Sequence, residues 1–247
     1  MSTAQPIIAI AGATGKLGRA VVDAARAGGH EVREISRSLG MDVLSGEGLD
    51  AALAGADALI DCLKPPHLDD SAADWFELAA RSLGEHARAA GITRTVAISI
   101  VGIDDMQDYG FYRAQRAHEQ AVRARCPGPV LVRAAQFHDF VGQQLREVGD
   151  HVEVMDAPSQ SVDTRAVAAL LIAQALADAP DALVQIAGPR PERTLDQARR
   201  LLAASGDRRE VVGIPPSPSM AAGGMLPPPE ARRAGPSFDE WLAEAPR

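Results

Sequence analysis

The chain has 247 residues, of which 46% are hydrophobic and 23% are charged, and its formal net charge is −8. These proportions are ordinary for a globular protein and exclude a disordered chain, while the length suits one substantial α/β domain. The negative net charge, with no long run of Lys and Arg, argues against binding to a nucleic-acid backbone.

The sequence shows no sign of a membrane or secreted protein. No stretch contains the roughly 18 consecutive apolar residues of a membrane span, and the N-terminus lacks the charged and apolar regions of a signal peptide. The two cysteines, Cys62 and Cys126, cannot form a disulfide framework and fit a reducing environment. We therefore expect a soluble, cytoplasmic protein.

The first 35 residues predict a strand–helix–strand unit. Residues 7–11 form a continuous apolar run, typical of a strand buried on both faces of a parallel sheet. Apolar residues then recur at helical spacing, at Leu17, Ala20, Val21, Ala24 and Ala25. Gly28 and Gly29 end this helix, and residues 31–35 are the next predicted strand, which completes a unit of βαβ size.

Strands and helices continue to alternate as far as residue 133. The predicted strands are residues 58–62, 95–101 and 129–133, and the predicted helices are residues 48–53, 72–90 and 111–125. This alternation predicts an α/β fold of the Rossmann type, with a doubly wound, mostly parallel sheet.

The pattern is less regular after residue 136. We predict helices over residues 163–178, with Asp163 as N-cap, and 195–204, and strands over 183–187 and 211–214. A short closing helix begins at Ser237, which also provides a good cap. Residues 215–236, rich in Pro, Gly, Ala and Met, predict an irregular flap. We expect a single domain with a core of about residues 1–135 and a smaller C-terminal substrate lobe of about residues 136–247.

Three glycines at a spacing of three residues lie between the first strand and the first helix. Gly12 permits the tight turn, Gly15 lets the backbone approach a pyrophosphate, and Gly18 allows close packing of the helix on the strand. The anion would meet free N–H groups and the positive end of the helix dipole. A glycine-rich turn can also simply connect two elements, but the strand before it and the helix after it favour a dinucleotide site, with cofactor contacts from Gly12, Thr14, Gly15, Lys16, Leu17 and Gly18.

The end of the second strand indicates which dinucleotide binds. An NAD site usually has Asp or Glu there to bind the ribose 2′-hydroxyl, whereas this chain has Ser36, Arg37 and Ser38. Arg37 can pair with a 2′-phosphate and the serine hydroxyls can donate to it. NADP(H) is therefore favoured over NAD(H), the alternative being that Arg37 is an ordinary exposed loop residue.

Several motifs together resemble one family over nearly the whole chain. They are GATGKLG after the first strand, Arg37, Asp42-Val43, the strand AISIVGID, the helix FYRAQRAHEQAV, the segment LVRAAQFHDF, and the late IAGP and FDEWL. The chain resembles the atypical short-chain dehydrogenase/reductases, specifically their NmrA-like NAD(P)-binding group. The combination of ISIVGID with RAAQFHDF is more specific to this group than the glycine loop is.

The resemblance implies further contacts with the cofactor. Asp42 and Val43 would flank the adenine, and Leu63 and Lys64 would lie beside the ribose and phosphates. Ser99 would lie near the nicotinamide, and Gln136, Phe137 and His138 would close over the nicotinamide and substrate side. Lys64 can also be a solvated loop cation, and Ser99 can simply form a hydrogen bond with backbone groups at the end of its strand.

The chain departs from the family at the catalytic pair. Short-chain dehydrogenases use Tyr-x-x-x-Lys, in which the Lys ammonium depresses the Tyr pKa so that the phenol can act as acid or base. In the family register the tyrosine position is Phe111 and the lysine position is Gln115. Tyr112 is one residue away, and a shift of one residue rotates a helical side chain by about 100°.

Three residues are left as catalytic candidates: Ser99, Tyr112 and His138. His138 could act as acid or base near neutral pH, or it could be a hydrogen-bonded structural imidazole. The histidines His30, His86, His118 and His151 are expected on helix surfaces or in loops. No cluster has metal-ligand spacing, so we predict no metal site, and the G-x-S-x-G motif of hydrolases is absent.

The residues leave three functions open. The first is an NADPH-dependent oxidoreductase acting on a small organic molecule, with Met220, Met225 and Leu226 of the flap as an adaptable apolar lid. The second is a non-catalytic NADP(H)-sensing regulator, and the third is an isomerase or dehydratase that retains NADP. The flap could instead form a homodimer contact or a mobile surface loop.

Overall fold

The computed structural model describes residues 5–244. Its strands are β1 (Ile7–Ala11), β2 (Glu31–Ile35), β3 (Ala58–Asp61), β4 (Thr95–Ile100), β5 (Pro129–Ala134), β6 (Arg146–Val148), β7 (His151–Met155), β8 (Pro158–Ser159), β9 (Leu183–Ala187), β10 (Glu192–Arg193), β11 (Glu210–Ile214) and β12 (Arg232–Arg233). Its helices are α1 (Lys16–Ala27), α2 (Leu49–Leu53), α3 (Ala72–Ala89), α4 (Gly110–Arg125), α5 (Phe140–Gln143), α6 (Thr164–Leu176), α7 (Thr194–Ala204), α8 (Pro218–Ala221) and α9 (Phe238–Glu244).

A seven-stranded sheet organises the described part of the chain, in the order β12-β9-β5-β4-β3-β1-β2. Strand β1 pairs in parallel with both β2 and β3, β3 pairs in parallel with β4, and β9 pairs in parallel with β12. Helices follow the strands, and Ile8 and Ile10 of β1 are completely buried. The predicted Rossmann-type α/β fold is therefore confirmed.

Within residues 5–244 the chain divides into two compact units. The first consists of residues 5–99, 110–133 and 167–184, and the second of residues 100–109, 134–166 and 185–244. In the first unit, α2 and α3 cover β1 and β2 through an apolar cluster that includes Ile35, Leu49, Leu53 and Leu83. This burial explains why the apolar runs of these elements are continuous or have helical period.

The second unit contains strands that the sequence analysis did not predict. Strands β6, β7 and β11 form a three-stranded sheet, and β8 pairs with β10. In β7, Val152 and Val154 are buried while His151 and Glu153 are half-buried, so its alternation covers only five residues. The predicted strand β11 pairs in parallel with β7, a partner about sixty residues earlier in the sequence.

Most of the predicted irregular flap is irregular in the structure, but it also contains two short regular elements and buried side chains. Residues 215–236 contain α8 and the sheet strand β12, and both Met220 and Met225 are buried. The backbone N–H of Ser219 donates to Asp108 Oδ2 over 3.1 Å, and its hydroxyl donates to Asp108 Oδ1. A Cβ at Gly102 would overlap the carbonyl oxygen of Gly224. Long-range contacts with residues 100–109 therefore order this Pro- and Gly-rich segment.

The two predicted helix caps of the second unit are present. Asp163 Oδ1 accepts the backbone N–H of Arg165 over 2.6 Å, and Ser237 and Glu240 bond reciprocally to each other's backbone N–H groups. None of the helices in residues 5–244 combines the length and apolarity that a membrane span requires.

Candidate cofactor-binding site

The glycine loop after β1 makes the tight turn that its sequence predicts. Gly12 has φ of +78°, and a Cβ there would lie 2.6 Å from the carbonyl oxygen of Cys62. A Cβ on Gly18 would overlap the carbonyl oxygen of Gly12, because the first turn of α1 packs directly on the loop. The first and third glycines are thus required by backbone conformation and by close packing.

The N-terminus of α1 suits an anion. The N-cap residue is Gly15, which has no side chain that could occupy the first N–H groups, and the first turn of this 12-residue helix carries no acidic residue. Its first N–H groups and its positive dipole end therefore meet the two requirements of a pyrophosphate site. Lys16 is exposed, while Leu17 is buried, so only the backbone of Leu17 can reach a ligand.

A cluster of three hydroxyl groups joins this loop to the end of β2. Thr14 Oγ1 lies 2.9 Å from Ser36 Oγ, which lies 2.7 Å from Ser38 Oγ. Ser36 Oγ also accepts the backbone N–H of Ser38 and so caps the short 3₁₀ turn Arg37–Leu39. The Arg37 side chain is exposed and makes no ion pair or hydrogen bond within residues 5–244. One cation and three hydroxyls are therefore grouped at the predicted phosphate position.

Four further predicted contacts follow β2 and β3. Asp42 accepts the backbone N–H of Leu44 over 2.8 Å, in a turn. Val43 is buried and Leu63 is half-buried in the apolar cluster of the first unit, whereas Lys64 is exposed. The cofactor contacts of these four residues stay predictions.

Ser99 of β4 belongs to a buried network. Its hydroxyl donates to Glu119 Oε1 over 2.6 Å. Glu119 also receives two bonds of 2.8 Å from the Arg133 guanidinium, through Nε and Nη2. Because the single hydroxyl proton of Ser99 is given to a carboxylate, its remaining capacity is that of an acceptor.

A second buried network contains His118, and the prediction that this histidine lies on a helix surface or in a loop is wrong. Its side chain is 1% exposed, its Nε2 lies 3.0 Å from Asp61 Oδ2, and its Nδ1 lies 3.1 Å from Gln115 Nε2. The ring of Phe76 stacks on the imidazole at 4.2 Å. Gln115, His118 and Glu119 all lie on the inner face of α4. Residues three and four positions apart share one face of a helix, so this spacing could have indicated a polar inner face from the sequence.

The residues at the family's tyrosine position and beside it lie at the start of α4. Phe111 is half-buried and packs against a cluster that includes Ala72, Phe76 and Ala114. Tyr112 is 5% exposed, with its ring centroid 6.4 Å from that of Phe111. The lysine position, Gln115, uses its amide nitrogen within the buried network, so the chain holds no cation there.

His138 is buried in the second unit and is hydrogen bonded at both ring nitrogens. Nδ1 lies 2.9 Å from Ser161 Oγ, which also accepts from Gln197, and Nε2 lies 3.1 Å from the carbonyl oxygen of Pro236. Burial lowers the pKa of His138 below its ordinary value. The preceding Phe137 is half-buried and forms a parallel bridge with Val162.

A sequence-family comparison agrees with this geometry. A family model described as NAD(P)H-binding matches residues 12–179, more than half of the chain. The chain belongs to this NAD(P)H-binding family. The match begins at Gly12, so it includes the glycine loop, and the resemblance to the atypical short-chain dehydrogenase/reductases is confirmed. No curated protein matches the chain by sequence.

Solved structures of the same fold carry dinucleotides. An NADPH-dependent quinone oxidoreductase of Escherichia coli, complexed with NADPH, has 17% identity and a TM-score of 0.67, with 96% of this chain and 98% of that chain covered. A dTDP-4-dehydrorhamnose reductase of Bacillus anthracis, in complex with NADP, has 13% identity and a TM-score of 0.71, with 97% and 98% covered. A short-chain dehydrogenase/reductase superfamily protein of Agrobacterium tumefaciens with bound NAD has 18% identity and a TM-score of 0.68, with 96% and 95% covered.

Proposed function

We propose that this NAD(P)H-binding protein prefers NADP(H) and is an oxidoreductase acting on a small organic substrate. The observation that carries the cofactor preference is the group of Thr14, Ser36, Ser38 and the exposed Arg37 at the end of β2. A 2′-phosphate needs a cation and several donors, and this group offers both without an acidic residue.

The cofactor, when bound, supplies the hydride chemistry, and the protein holds and orients it. The loop from Gly12 to Gly18 and the N-terminus of α1 would hold the pyrophosphate. Arg37 and the hydroxyl cluster would hold the 2′-phosphate. The two solved structures with NADP or NADPH bound support the same class of cofactor. The Agrobacterium structure has NAD bound, so the fold alone does not determine whether NAD or NADP binds.

The hydrogen bonds favour positioning roles for two of the three catalytic candidates. Ser99 gives its proton to Glu119, and His138 is engaged at both nitrogens. We infer that the proton of a carbonyl reduction comes from Tyr112 or from water. Ser99→Ala and His138→Ala are then expected to lower turnover without weakening cofactor binding.

Isothermal titration with NADPH and NADH tests the cofactor preference. Arg37→Ala should weaken NADPH binding by about 10- to 100-fold, the value of a charge-assisted hydrogen bond of about 1.5–3 kcal/mol, and leave NADH binding unchanged. Arg123→Ala is the matched control, because Arg123 is exposed on α4. Equal affinity of the unmodified protein for both cofactors would defeat the proposal.

A second candidate function, a non-catalytic NADP(H) sensor, is favoured by Phe111 and Gln115 at the positions of the catalytic pair. Incubation with NADPH and a panel of carbonyls, enones and quinones separates the two functions. Consumption of NADPH with any of these substrates supports the oxidoreductase. Tight NADPH binding without turnover supports the sensor.

A further inference from the structure

The side chain of Gln115 is oriented by a backbone carbonyl. Its amide nitrogen Nε2 lies 3.3 Å from the carbonyl oxygen of Ile98, in β4. A carbonyl oxygen can only accept, so the amide atom that faces it must be the nitrogen and not the oxygen. This contact distinguishes the two ends of the Gln115 amide.

The same nitrogen determines the tautomer of His118. Gln115 Nε2 lies 3.1 Å from His118 Nδ1, so Nδ1 accepts its second hydrogen, and the imidazole proton is on Nε2. That proton is donated to Asp61 Oδ2 over 3.0 Å. Asp61 Oδ1 accepts the backbone N–H of Leu63 over 2.9 Å, so both carboxylate oxygens are used.

The relay formed by Asp61, His118 and Gln115 is held in a fixed arrangement. All three side chains are at most 5% exposed, and Phe76 stacks on the imidazole with an interplanar angle of 20°. Both amide hydrogens of Gln115 therefore point to protein acceptors. Its oxygen Oε1 makes no hydrogen bond within residues 5–244 and is left as an acceptor.

We propose that Asp61 and His118 are positioning residues, which fix Gln115 so that Oε1 accepts a hydrogen bond from the bound dinucleotide. Asp61 ends β3, and Ile98 lies near the end of β4. Ligands of parallel α/β sheets bind at the carboxyl ends of the strands. The inference rests on the proposed function, and it names the group that NADP(H) would present here: a donor in the nicotinamide half, either a hydroxyl of the nicotinamide ribose or the carboxamide N–H.

Asp61→Asn should reverse the polarity of the whole relay. The Leu63 N–H requires an acceptor, so the Asn side-chain oxygen takes the position of Oδ1 and its NH₂ group faces His118. His118 Nε2 must then accept, and its proton moves to Nδ1. Gln115 turns its amide to offer Oε1 to that proton, which leaves the carbonyl oxygen of Ile98 without the donor that it has in the unmodified protein. The amide hydrogens of Gln115 then face the ligand instead of an acceptor.

Two measurements test this reversal. ¹⁵N–¹H correlation spectra of the histidine ring should show the His118 proton on Nε2 in the unmodified protein and on Nδ1 in Asp61→Asn. The NADPH dissociation constant should rise by about 3- to 10-fold in Asp61→Asn, the effect of one lost hydrogen bond. Asp50→Asn, at an exposed carboxylate 3.8 Å from His86, is the matched control and should change neither.

Ligand fragments locate the contact. Asp61→Asn should leave the affinity for 2′,5′-ADP unchanged, because this fragment lacks the nicotinamide half. A 3-acetylpyridine analogue of NADP has no carboxamide N–H. If the effect of the substitution is retained with this analogue, the donor is a ribose hydroxyl, and if it is lost, the donor is the carboxamide.

The inference is overturned if the His118 proton stays on Nε2 and NADPH affinity is unchanged in Asp61→Asn, or if 2′,5′-ADP binding weakens equally. Gln115→Leu provides a second variant should Asp61→Asn not fold, and an unchanged NADPH affinity there overturns the inference too. If Arg37→Ala leaves NADPH affinity unaltered, the proposed NADP(H) preference fails. The tautomer of His118 still tests the relay in that case.

Discussion

Gly18 has no room for a side chain, although it lies in a helix where most residues would be tolerated. A Cβ there would overlap the backbone of the glycine loop itself, which cannot move without displacing the turn at Gly12. The third glycine of the motif is therefore a packing requirement of α1 on its loop. A cofactor bound as proposed would benefit, because the helix N-terminus is brought close to the turn.

Gly18→Ala should destabilise the protein by about 1–3 kcal/mol, the usual cost of overpacking, and should raise the NADPH dissociation constant. Urea unfolding and isothermal titration measure the two effects. Gly142→Ala is the control, because a Cβ there meets only the end of the flexible Leu201 side chain, 3.2 Å away. Equal stability of the two variants would contradict the packing argument.

Helix α4 has a polar inner face that is anchored to three strands. Gln115 and His118 bond to β4 and β3, and Glu119 bonds to Ser99 of β4 and Arg133 of β5. The Glu119 and Arg133 side chains are 5% and 10% exposed. Burying an ion pair is costly, whereas breaking one leaves a buried charge uncompensated.

Glu119→Leu should lower the free energy of unfolding by about 3–5 kcal/mol, because Arg133 is left buried without its carboxylate. Adding Arg133→Met should recover most of this loss. Glu77→Leu is the control, since it removes an exposed pair with Arg125 and should cost less than about 1 kcal/mol. Urea titration measures all four proteins, and a double variant as unstable as Glu119→Leu would contradict the prediction.

His138 connects helix α9 to the rest of the second unit. Its ring lies 5.7 Å from Phe238 and 5.5 Å from Trp241, between centroids, and bonds to the carbonyl of Pro236 just before the helix. Burial lowers its pKa, so the folded protein prefers the neutral imidazole.

This lowered pKa predicts a loss of stability in mild acid. The unfolded chain binds a proton on His138 near its ordinary pKa of about 6.5, while the folded chain does so only at lower pH. The contribution is therefore complete above about pH 6.5 and declines as the pH falls below it. Urea unfolding at pH 7.5 and 5.5 should show a smaller decline in His138→Asn than in the unmodified protein, and His151→Asn should retain the decline.

At the scale of the whole molecule, a single sheet brings the ends of β1, β2, β3 and β4 to one edge. The glycine loop, the hydroxyl cluster and the buried relay follow or lie near the ends of these neighbouring strands. A dinucleotide bound along this edge, as proposed, would contact several elements at once, so binding should stabilise the folded state as a whole.

NADPH at 100 times its dissociation constant should stabilise the protein by about 2.7 kcal/mol. Thermal unfolding should therefore show a larger increase in Tm with NADPH than with equimolar NADH, and Arg37→Ala should remove the difference. A larger increase with NADH would contradict the preference for the 2′-phosphate.

The sequence by itself determined the elements and the motifs whose cause is local. The apolar run of β1, the glycine loop and the helical period of α1 predicted the Rossmann-type fold and its cofactor class, because turn geometry and side-chain periodicity depend on neighbouring residues. The Asp163 and Ser237 caps were likewise predicted, since each bonds within three residues.

Only the tertiary structure decided the features that depend on distant partners. His118 bonds to Asp61, which lies 57 residues earlier in the sequence. Strand β7 pairs with β11, about sixty residues later, and Ser219 bonds to Asp108, 111 residues earlier. Burial and hydrogen bonding of such residues follow from the packing of the whole chain, which a local pattern does not contain. The glycine loop could therefore be assigned from sequence, whereas the acceptor role inferred for Gln115 required the structure.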